Sequence, residues 1–416
     1  MSAGDLLAAS LADLMAEAGR RRDGAFGDRV TFSPKVFIPL TMLCRDRCGY
    51  CTFAKPPARL ATPFLGLDEV VAIAAAGAEA GCHEALFTLG EAPEDRYVVA
   101  GRWLEDHGYT STVDYLVAAA GAVLEKTGLL PHANAGALSR PDLERLRAVS
   151  PSQGMMLETL AARLGEPGGA HHRAPDKTPE RRLATLEAAG EARIPFTTGL
   201  LVGIGETREE RLEALEAIAA SHARHGHVQE VIVQNFLPKP GTGMAGHPPC
   251  PEDDMLWTVA AARILLPESI HLQAPPNLAS DLAALVAAGI DDWGGVSPLT
   301  PDHVNPERPW PGLERLREAT EAAGKVLAPR LTVYPEYVTR PDVWLHPDVR
   351  FAVLCASDSE GLARPGGKGV SPGIDGGKGV SPGIDGGKGV SPGMESRWSA
   401  GGHDPPPQLL GGTPRA

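Results

Sequence analysis

Positive charge is in short supply in this chain of 416 residues: 39 lysines and arginines face 52 aspartates and glutamates, a net charge of −13. That balance excludes the basic footprint with which proteins grip nucleic acid and leaves an acidic surface whose main consequence is solubility. Long apolar runs are also missing, and none approaches the length of a membrane span. Met1 to Gly19 carries Asp5, Asp13 and Glu17 among its leucines and alanines. This is an amphipathic-helix pattern, without the basic start and uninterrupted apolar core of a secretory leader. Cysteines number only six, fewer than a disulfide framework would use. A chain of this kind is expected in a reducing cytoplasm, where thiolates survive as ligands.

What is present is concentrated. Three of the six cysteines share one short loop, Cys44-Arg-Asp-Arg-Cys48-Gly-Tyr-Cys51, with the spacing C-x3-C-x2-C. A cubane iron–sulfur cluster held wholly by protein needs four thiolates. Here the loop offers three and no fourth is near, which implies a [4Fe-4S] cluster with one iron open to a small molecule. Zinc is the alternative, but it prefers paired C-x2-C units or histidines at helical spacing, and the Arg45-Asp46-Arg47 insert does not resemble a zinc knuckle. Cys82, Cys250 and Cys355 are not expected to be ligands: the first precedes its strand, the second sits in a Pro-Pro-Cys-Pro loop, and the third lies near the tail.

From about Lys35 short strand-like runs alternate with alanine- and leucine-rich helical stretches. The expected strands are 35–43, 84–89, 130–134, 154–158, 196–202, 230–235, 270–273 and a short one near 290–293. Expected helices include 67–80, 114–126, 179–192 and 208–223. Such alternation implies parallel strands with right-handed crossovers, and six to eight units over some 270 residues of this sequence fit an α/β fold of the (β/α) TIM-type barrel class. An open doubly wound sheet is the alternative. The expected organisation is an N-terminal helical extension over 1–30, the barrel over 31–345, a C-terminal extension over 346–363 and a tail over 364–416. In that tail Gly-Gly-Lys-Gly-Val-Ser-Pro-Gly-Ile-Asp repeats from Gly366 and Gly376 and, shortened, from Gly386. A Gly/Pro repeat buries no core and reads as a linker or disordered end.

A barrel places its active site at the C-terminal strand ends. Residues with chemistry sit there in the sequence: Gly90-Glu91 after the second strand, His132 and Asn134 on the third, Glu158 after the fourth with His171-His172-Arg173 beyond it. Thr197 lies on the fifth, with Gly203-Ile-Gly205-Glu206 at its end. Gln234-Asn235 close the sixth, Gln273 the seventh, and Asp291-Asp292-Trp293 the eighth. Any one of these could be a cap or turn residue, and a lone Gly-x-Gly is as often a strand-to-helix turn. Their recurrence at every strand end is the informative feature.

With these motifs in place, the chain resembles the radical S-adenosylmethionine enzymes, whose C-x3-C-x-aromatic-C signature is matched by Cys44, Cys48, Tyr50 and Cys51. The resemblance implies that the open iron is chelated by the amino and carboxylate groups of S-adenosylmethionine. One-electron cleavage then yields a 5′-deoxyadenosyl radical that abstracts hydrogen from substrate. It also implies cofactor contacts: Glu91 to the methionine ammonium, Glu158 to the ribose hydroxyls, Gly203 and Gly205 to the adenine by close backbone approach, Tyr50 over the adenine or the cluster edge, and Gly90 and Asn134 beside them.

A narrower resemblance runs from Thr31 to about Pro311. Cys44–Phe53, Thr88-Leu-Gly-Glu-Ala-Pro-Glu94, His171-His-Arg-Ala-Pro-Asp-Lys177, Ile194-Pro-Phe-Thr-Thr-Gly199, Gly203-Ile-Gly-Glu-Thr-Arg208, Val231-Ile-Val-Gln-Asn-Phe236, Asp292-Trp-Gly-Gly-Val-Ser-Pro298 and Val304-Asn-Pro306 look like the cyclising component of deazaflavin (FO) synthase. By that resemblance a partner component joins tyrosine-derived carbon to a ribitylaminouracil. The cyclising component then closes the central ring of 7,8-didemethyl-8-hydroxy-5-deazariboflavin and releases ammonia, with a reductant feeding the cluster. Both components are fused in some bacteria; this chain resembles only the first half and is not expected to complete the whole synthesis alone. Gln234 and Asn235 suit a uracil edge, since each amide offers a donor and an acceptor, and Thr197 and Gln273 are further substrate candidates. His132, His172 and Asp292 are candidates for proton transfer. Another barrel enzyme of the same superfamily, of the menaquinone pathway or like biotin synthase, is the competing reading; a sulfur inserter would need a second cysteine set, and the sequence has none. An electron-transfer iron–sulfur protein would need a fourth ligand.

Overall fold

The computed structural model describes residues 1–364; the Gly/Pro repeat and the expected linker or disordered tail lie outside the described residues. Eight parallel strands, β1 (Arg29–Pro39), β2 (Glu84–Thr88), β3 (Leu130–Asn134), β4 (Ser152–Gly154), β5 (Phe196–Val202), β6 (Val228–Asn235), β7 (His271–Gln273) and β8 (Asp292–Val296), close into a barrel because β1 pairs with both β2 and β8. The barrel expectation holds and the open sheet is excluded. A ninth strand, β9 (Val326–Pro329), adds to β1 in parallel and has no counterpart in the expected set.

Local chemistry sets the element ends. Ser111, Ser139, Thr178 and Thr207 each stand one residue before a helix and accept a hydrogen bond from the amide three residues on, satisfying one of the free N–H groups of the first turn. Every residue of β5 is buried, as expected of a parallel strand covered on both faces. The expected fourth strand is displaced. It pairs only over Ser152–Gly154 and the chain then leaves the ladder, with Glu158 at a φ of 66° and bridging Leu200 alone. The eighth strand likewise begins, and does not end, at Asp292.

The N-terminal helices Ala3–Ala8 and Leu11–Phe26 bury Leu6, Leu14 and Ala18 in the main core. Arg21 and the fully buried Arg22 fasten the second of them by donating to the carbonyls of Ile264 and Gly27, each at 2.8 Å. At the other end of the chain, residues 330–334 run across the N-terminal mouth of the barrel. Leu331, Val333 and Tyr334 pack with Leu130, Tyr337 and Trp344 in a separate apolar cluster, while Arg330 reaches inside. Its guanidinium lies 2.6 Å from Asp292 Oδ2 and 2.9 Å from Glu230 Oε1. The barrel is thus closed from below by 326–345, part of the stretch expected to belong to the barrel itself.

Beneath the barrel the buried His271 ring bonds to Asp291 and lies 3.3 Å from Glu336, and Asp291 also pairs with Arg263. Burial opposes the charge on His271, but the two carboxylates outweigh it and raise its pKa from 6.5 to about 9. A group whose folded pKa is raised stabilises fully below its unfolded value and loses that contribution as pH rises through the folded one. His271→Gln should therefore lower stability by on the order of 1–3 kcal/mol at pH 6, and its deficit relative to the parent should shrink as pH passes about 9. Denaturant titrations of both proteins across that range would show it; a pH-independent deficit would contradict it.

Candidate active site

The cysteine loop follows β1 and is strapped down by backbone bonds to two other segments, one at Glu91 and one over Ala170–Arg173. Arg45 N–H donates to the Glu91 carbonyl at 2.9 Å, Arg47 N–H to that of Arg173 at 3.0 Å, and Gly49 N–H to that of Ala170 at 2.7 Å. Arg96 covers the outer side by donating to the carbonyls of Cys44 and Arg45 at 3.1 and 3.0 Å. The close approach of β2 depends on Gly90. A Cβ there would lie 2.0 Å from the Leu43 carbonyl oxygen and 2.6 Å from Cys44 Cβ, so no larger residue fits without moving backbone. That approach delivers the Glu91 N–H to Cys44 Sγ at 3.3 Å.

Cys44, Cys48 and Cys51 line one pocket of about 1270 Å³, shared with Asp46, Arg47, Arg96, His172 and Arg173. No other cysteine lines it. Cys82 lies just ahead of β2, at the opposite end of the barrel, and Cys250 packs at Gly203. Burial, with Asp46 adding to it, pushes the Cys44 thiol up to about 12, and burial likewise pushes Cys48 upward; both are values for free thiols, and a metal reverses such penalties by binding the thiolate. Three convergent thiols, a donated N–H and a pocket open beside them fit a cubane with one free iron. A smaller pocket of about 680 Å³, lined by Leu164, Ile204 and Gly205, shares Gly168, Gly169, Met244 and His247 with it.

Two carboxylates lie under the loop, each held by a buried cation. Glu91 is 2.5 Å from Arg182 and accepts from Ala137 N–H at 3.1 Å; Gly136, at a φ of 77°, leaves room for it, since a Cβ there would sit 2.1 Å from Glu91 Cδ. Glu158 is 2.5 Å from Lys177 and 2.9 Å from His171, and accepts the Tyr50 hydroxyl. Burial works against its charge, but Lys177, His171 and Arg182 hold its carboxyl well below the usual range. Asp46 is different. Its Oδ1 accepts from Asp176 N–H at 3.2 Å, whereas Oδ2 is buried without a hydrogen-bond partner, and burial with the neighbouring Glu91 raises its carboxyl to about 6.

A second cavity fills the barrel interior. It adjoins the cysteine loop where Thr52 donates to the Val304 carbonyl at 3.2 Å, Val304 lining the cavity. His132, Asn134, Thr197, Gln234 and Gln273 all face it. Three expected substrate or proton-transfer residues do not; one of them, His172, lines the cysteine pocket instead. The Asn235 amide turns to the Leu278 carbonyl at 3.2 Å, because side chains alternate along β6 and Gln234 takes the inward position. Asp292, at the start of its strand, is sealed at the barrel floor by Arg330 and Thr31. The Gly203 and Ile204 N–H groups are already engaged by Glu206, at 2.8 and 2.9 Å, which in turn pairs with Arg211; the glycines shape a rim whose donors serve the loop itself. His132 lies deep, bonded through Nδ1 to Ser152 Oγ at 2.7 Å, and burial pushes it down to about 4, so the ring is neutral.

The sequence reading passed over Arg182, Lys177, Asp46, Lys35, Glu84 and Glu230. A signal existed for the last three, which interrupt apolar strands at inward positions of the period-2 pattern; Arg182 and Lys177 carry none, being a helix residue and a loop residue that only folding brings under the cysteines.

A closed parallel barrel with three cysteines at the strand ends is the arrangement of a radical S-adenosylmethionine enzyme, and residues 38–218 match the model of the radical SAM superfamily. The chain is 51% identical over 336 residues to the 7,8-didemethyl-8-hydroxy-5-deazariboflavin synthase of Methanopyrus kandleri, covering 80% of this chain and all of that one. It is 52% identical over 372 residues to the FO synthase of Mycobacterium tuberculosis, covering 85% of this chain and 44% of that one. The chain therefore belongs to the FO (7,8-didemethyl-8-hydroxy-5-deazariboflavin) synthase family, and it spans less than half the length of the longer relatives of the Mycobacterium tuberculosis kind. The fold is shared with the FeFe-hydrogenase maturase HydG of Carboxydothermus hydrogenoformans, at 21% identity and a TM-score of 0.63 over 84% of this chain and 83% of that one. Among the described residues no helix is long and apolar enough to cross a membrane.

Cys44→Ala, Cys48→Ala and Cys51→Ala should each abolish the cluster after anaerobic reconstitution, while Cys82→Ala, Cys250→Ala and Cys355→Ala retain it; iron and sulfide content decides. Gly90→Ala, which forces backbone apart, should destabilise by on the order of 3 kcal/mol and lose the cluster as well.

Proposed function

We propose that this chain closes the deazaflavin ring of 7,8-didemethyl-8-hydroxy-5-deazariboflavin from the hydroxybenzyl adduct of ribityliminodihydrouracil, releasing ammonia as a carbon–nitrogen lyase. The observation that carries the proposal is the pairing of a three-thiol pocket with a deep, amide-bearing barrel cavity that adjoins it, in a chain aligned to a synthase of that compound over the synthase's whole length. A partner component would supply the adduct and a reductant the electron.

Cys44, Cys48 and Cys51 would hold the [4Fe-4S] cluster, and when bound with S-adenosylmethionine it supplies a 5′-deoxyadenosyl radical able to abstract hydrogen. Around it the chain's residues bind and orient. Glu91 offers a carboxylate to the methionine ammonium while Arg182 fixes its direction. Glu158, pinned between Lys177, His171 and Tyr50, is a rigid acceptor for ribose hydroxyls. Gln234, facing the cavity with no hydrogen-bond partner among the described residues, presents a donor and an acceptor to a uracil edge. His172, lining the cysteine pocket, is placed to hold or move a proton near the reacting carbon; His132, deep in the cavity and held neutral by burial, stands away from it.

Reconstituted protein given adduct, dithionite and S-adenosylmethionine should form the fluorescent deazaflavin together with 5′-deoxyadenosine, methionine and ammonia. 5′-Deoxyadenosine without deazaflavin would retain the enzyme class and reject the substrate. Gln234→Ala should cut deazaflavin formation at least tenfold, the loss of one to two hydrogen bonds, and leave uncoupled cleavage of S-adenosylmethionine within about twofold. Glu91→Gln should do the reverse, weakening S-adenosylmethionine binding while the cluster persists.

A further inference from the structure

The barrel cavity is tiered. Strand register sets Lys35 beside Glu84 and, two residues on, Phe37 beside Leu86; on β6 Glu230, Ile232 and Gln234 follow at the same spacing, roughly 6–7 Å per pair of residues. A charged tier therefore lies at the floor, an apolar tier above it, and a polar rim of Thr88, Asn134 and Gln234 at the top, all facing one cavity. In the apolar tier Phe37 stacks on Trp310, ring centroids 5.2 Å apart and planes 13° from parallel.

The floor is built but incompletely used. Lys35 Nζ is 2.8 Å from Glu84 Oε1, and the other Glu84 oxygen accepts from Ser33 Oγ at 2.5 Å; an ammonium has three donors, so capacity remains. His132 spends Nδ1 on Ser152 and keeps Nε2 toward the cavity, and the Gln273 amide faces the cavity with no hydrogen-bond partner among the described residues. Thr197 Oγ1 donates to Glu230 at 3.0 Å and accepts from Gln229 Nε2 at 3.3 Å, which leaves one lone pair for a ligand. These are donors and acceptors of both kinds at the bottom of a shaft with a flat apolar section above. A planar ring would meet only the middle tier. A flexible chain of hydroxyls, each both donor and acceptor, matches the floor.

We infer that the floor tier is the seat of the substrate's polyol chain, with Lys35 and Glu84 as specificity residues that read its hydroxyls while the ring system rests against Phe37 and Trp310. The inference rests on the proposed deazaflavin-forming reaction, whose product carries a ribityl chain. It orients that substrate with its polyol pointing away from the cysteines and its rings toward them, and makes the chain, not the rings, the main handle for binding.

The test compares two ligands on reconstituted, unreduced protein with S-adenosylmethionine present: the ribityl deazaflavin product and the same ring bearing N-methyl in place of ribityl. Fluorescence titration of the unaltered protein should give at least tenfold tighter binding of the ribityl compound. Lys35→Met/Glu84→Gln, which removes both charges together so that neither is left buried alone, should bring the two affinities within about threefold. Thr197→Val, a smaller change at the same tier, should narrow the ratio in the same direction, with cluster content as the check on folding. Equal affinities in the unaltered protein while deazaflavin still forms from adduct would overturn the inference alone. A tenfold preference that survives in both variants would likewise overturn it. Failure of both compounds to bind, with no deazaflavin from adduct, would overturn it together with the proposed function.

Discussion

The cysteine pocket depends on one buried cation. The Arg182 guanidinium is almost wholly inaccessible, and it meets Glu91 at 2.5 Å, the Asp176 carbonyl at 2.9 Å and the Met156 carbonyl at 3.0 Å. Each of those partners belongs to a different part of the site: Glu91 follows the strand that touches Cys44, Asp176 braces the loop insert through Arg45, and Met156 lines the barrel cavity. Guanidinium suits the task because its planar fork donates in several fixed directions at once. A buried charge pair of this kind adds little net stability, but removing one partner leaves the other unpaired in a poor solvent. The site therefore exists as a unit or not at all.

A second consequence of burying charge is seen lower in the barrel. Lys35, Glu84, Glu230, Arg330 and Asp292 are all nearly inaccessible and mutually paired. Natural barrels can fill this volume with branched aliphatic side chains. Here polar groups hold it open, and Arg330 comes from outside the barrel proper, on the segment that crosses the mouth below. The segment over 326–345 thus closes the vessel in which the substrate would sit, and residues 330–334 link the stability of that segment to the shape of the cavity.

Sequence pattern located two of the strands well: β3 and β5, nearly or wholly buried along their length, begin and end at the expected residues. It failed at β4 and β8, where apolar residues continue past the last ladder bond or precede the first. Composition registers that a residue is buried and not whether its backbone is paired. The errors in side-chain placement follow from this. Moving the start of β8 to Asp292 takes that carboxylate from the rim to the floor, and the period of two along β6 sends Gln234 inward and Asn235 outward.

The sequence by itself determined the chemistry. Three thiols within eight residues, and strand–helix alternation that forces parallel strands, suffice to place a three-cysteine loop at the C-terminal end of a barrel, because covalent spacing and crossover handedness are local constraints. Tertiary structure alone decided which charges stand under the cysteines, which carboxylate is satisfied and which is left with a bare oxygen, and how the cavity is tiered. Those outcomes depend on contacts between residues far apart in the chain, such as Glu91 with Arg182, Asp46 with Asp176 and Thr31 with Asp292, and no local pattern encodes a partner that only the closing of the barrel brings near.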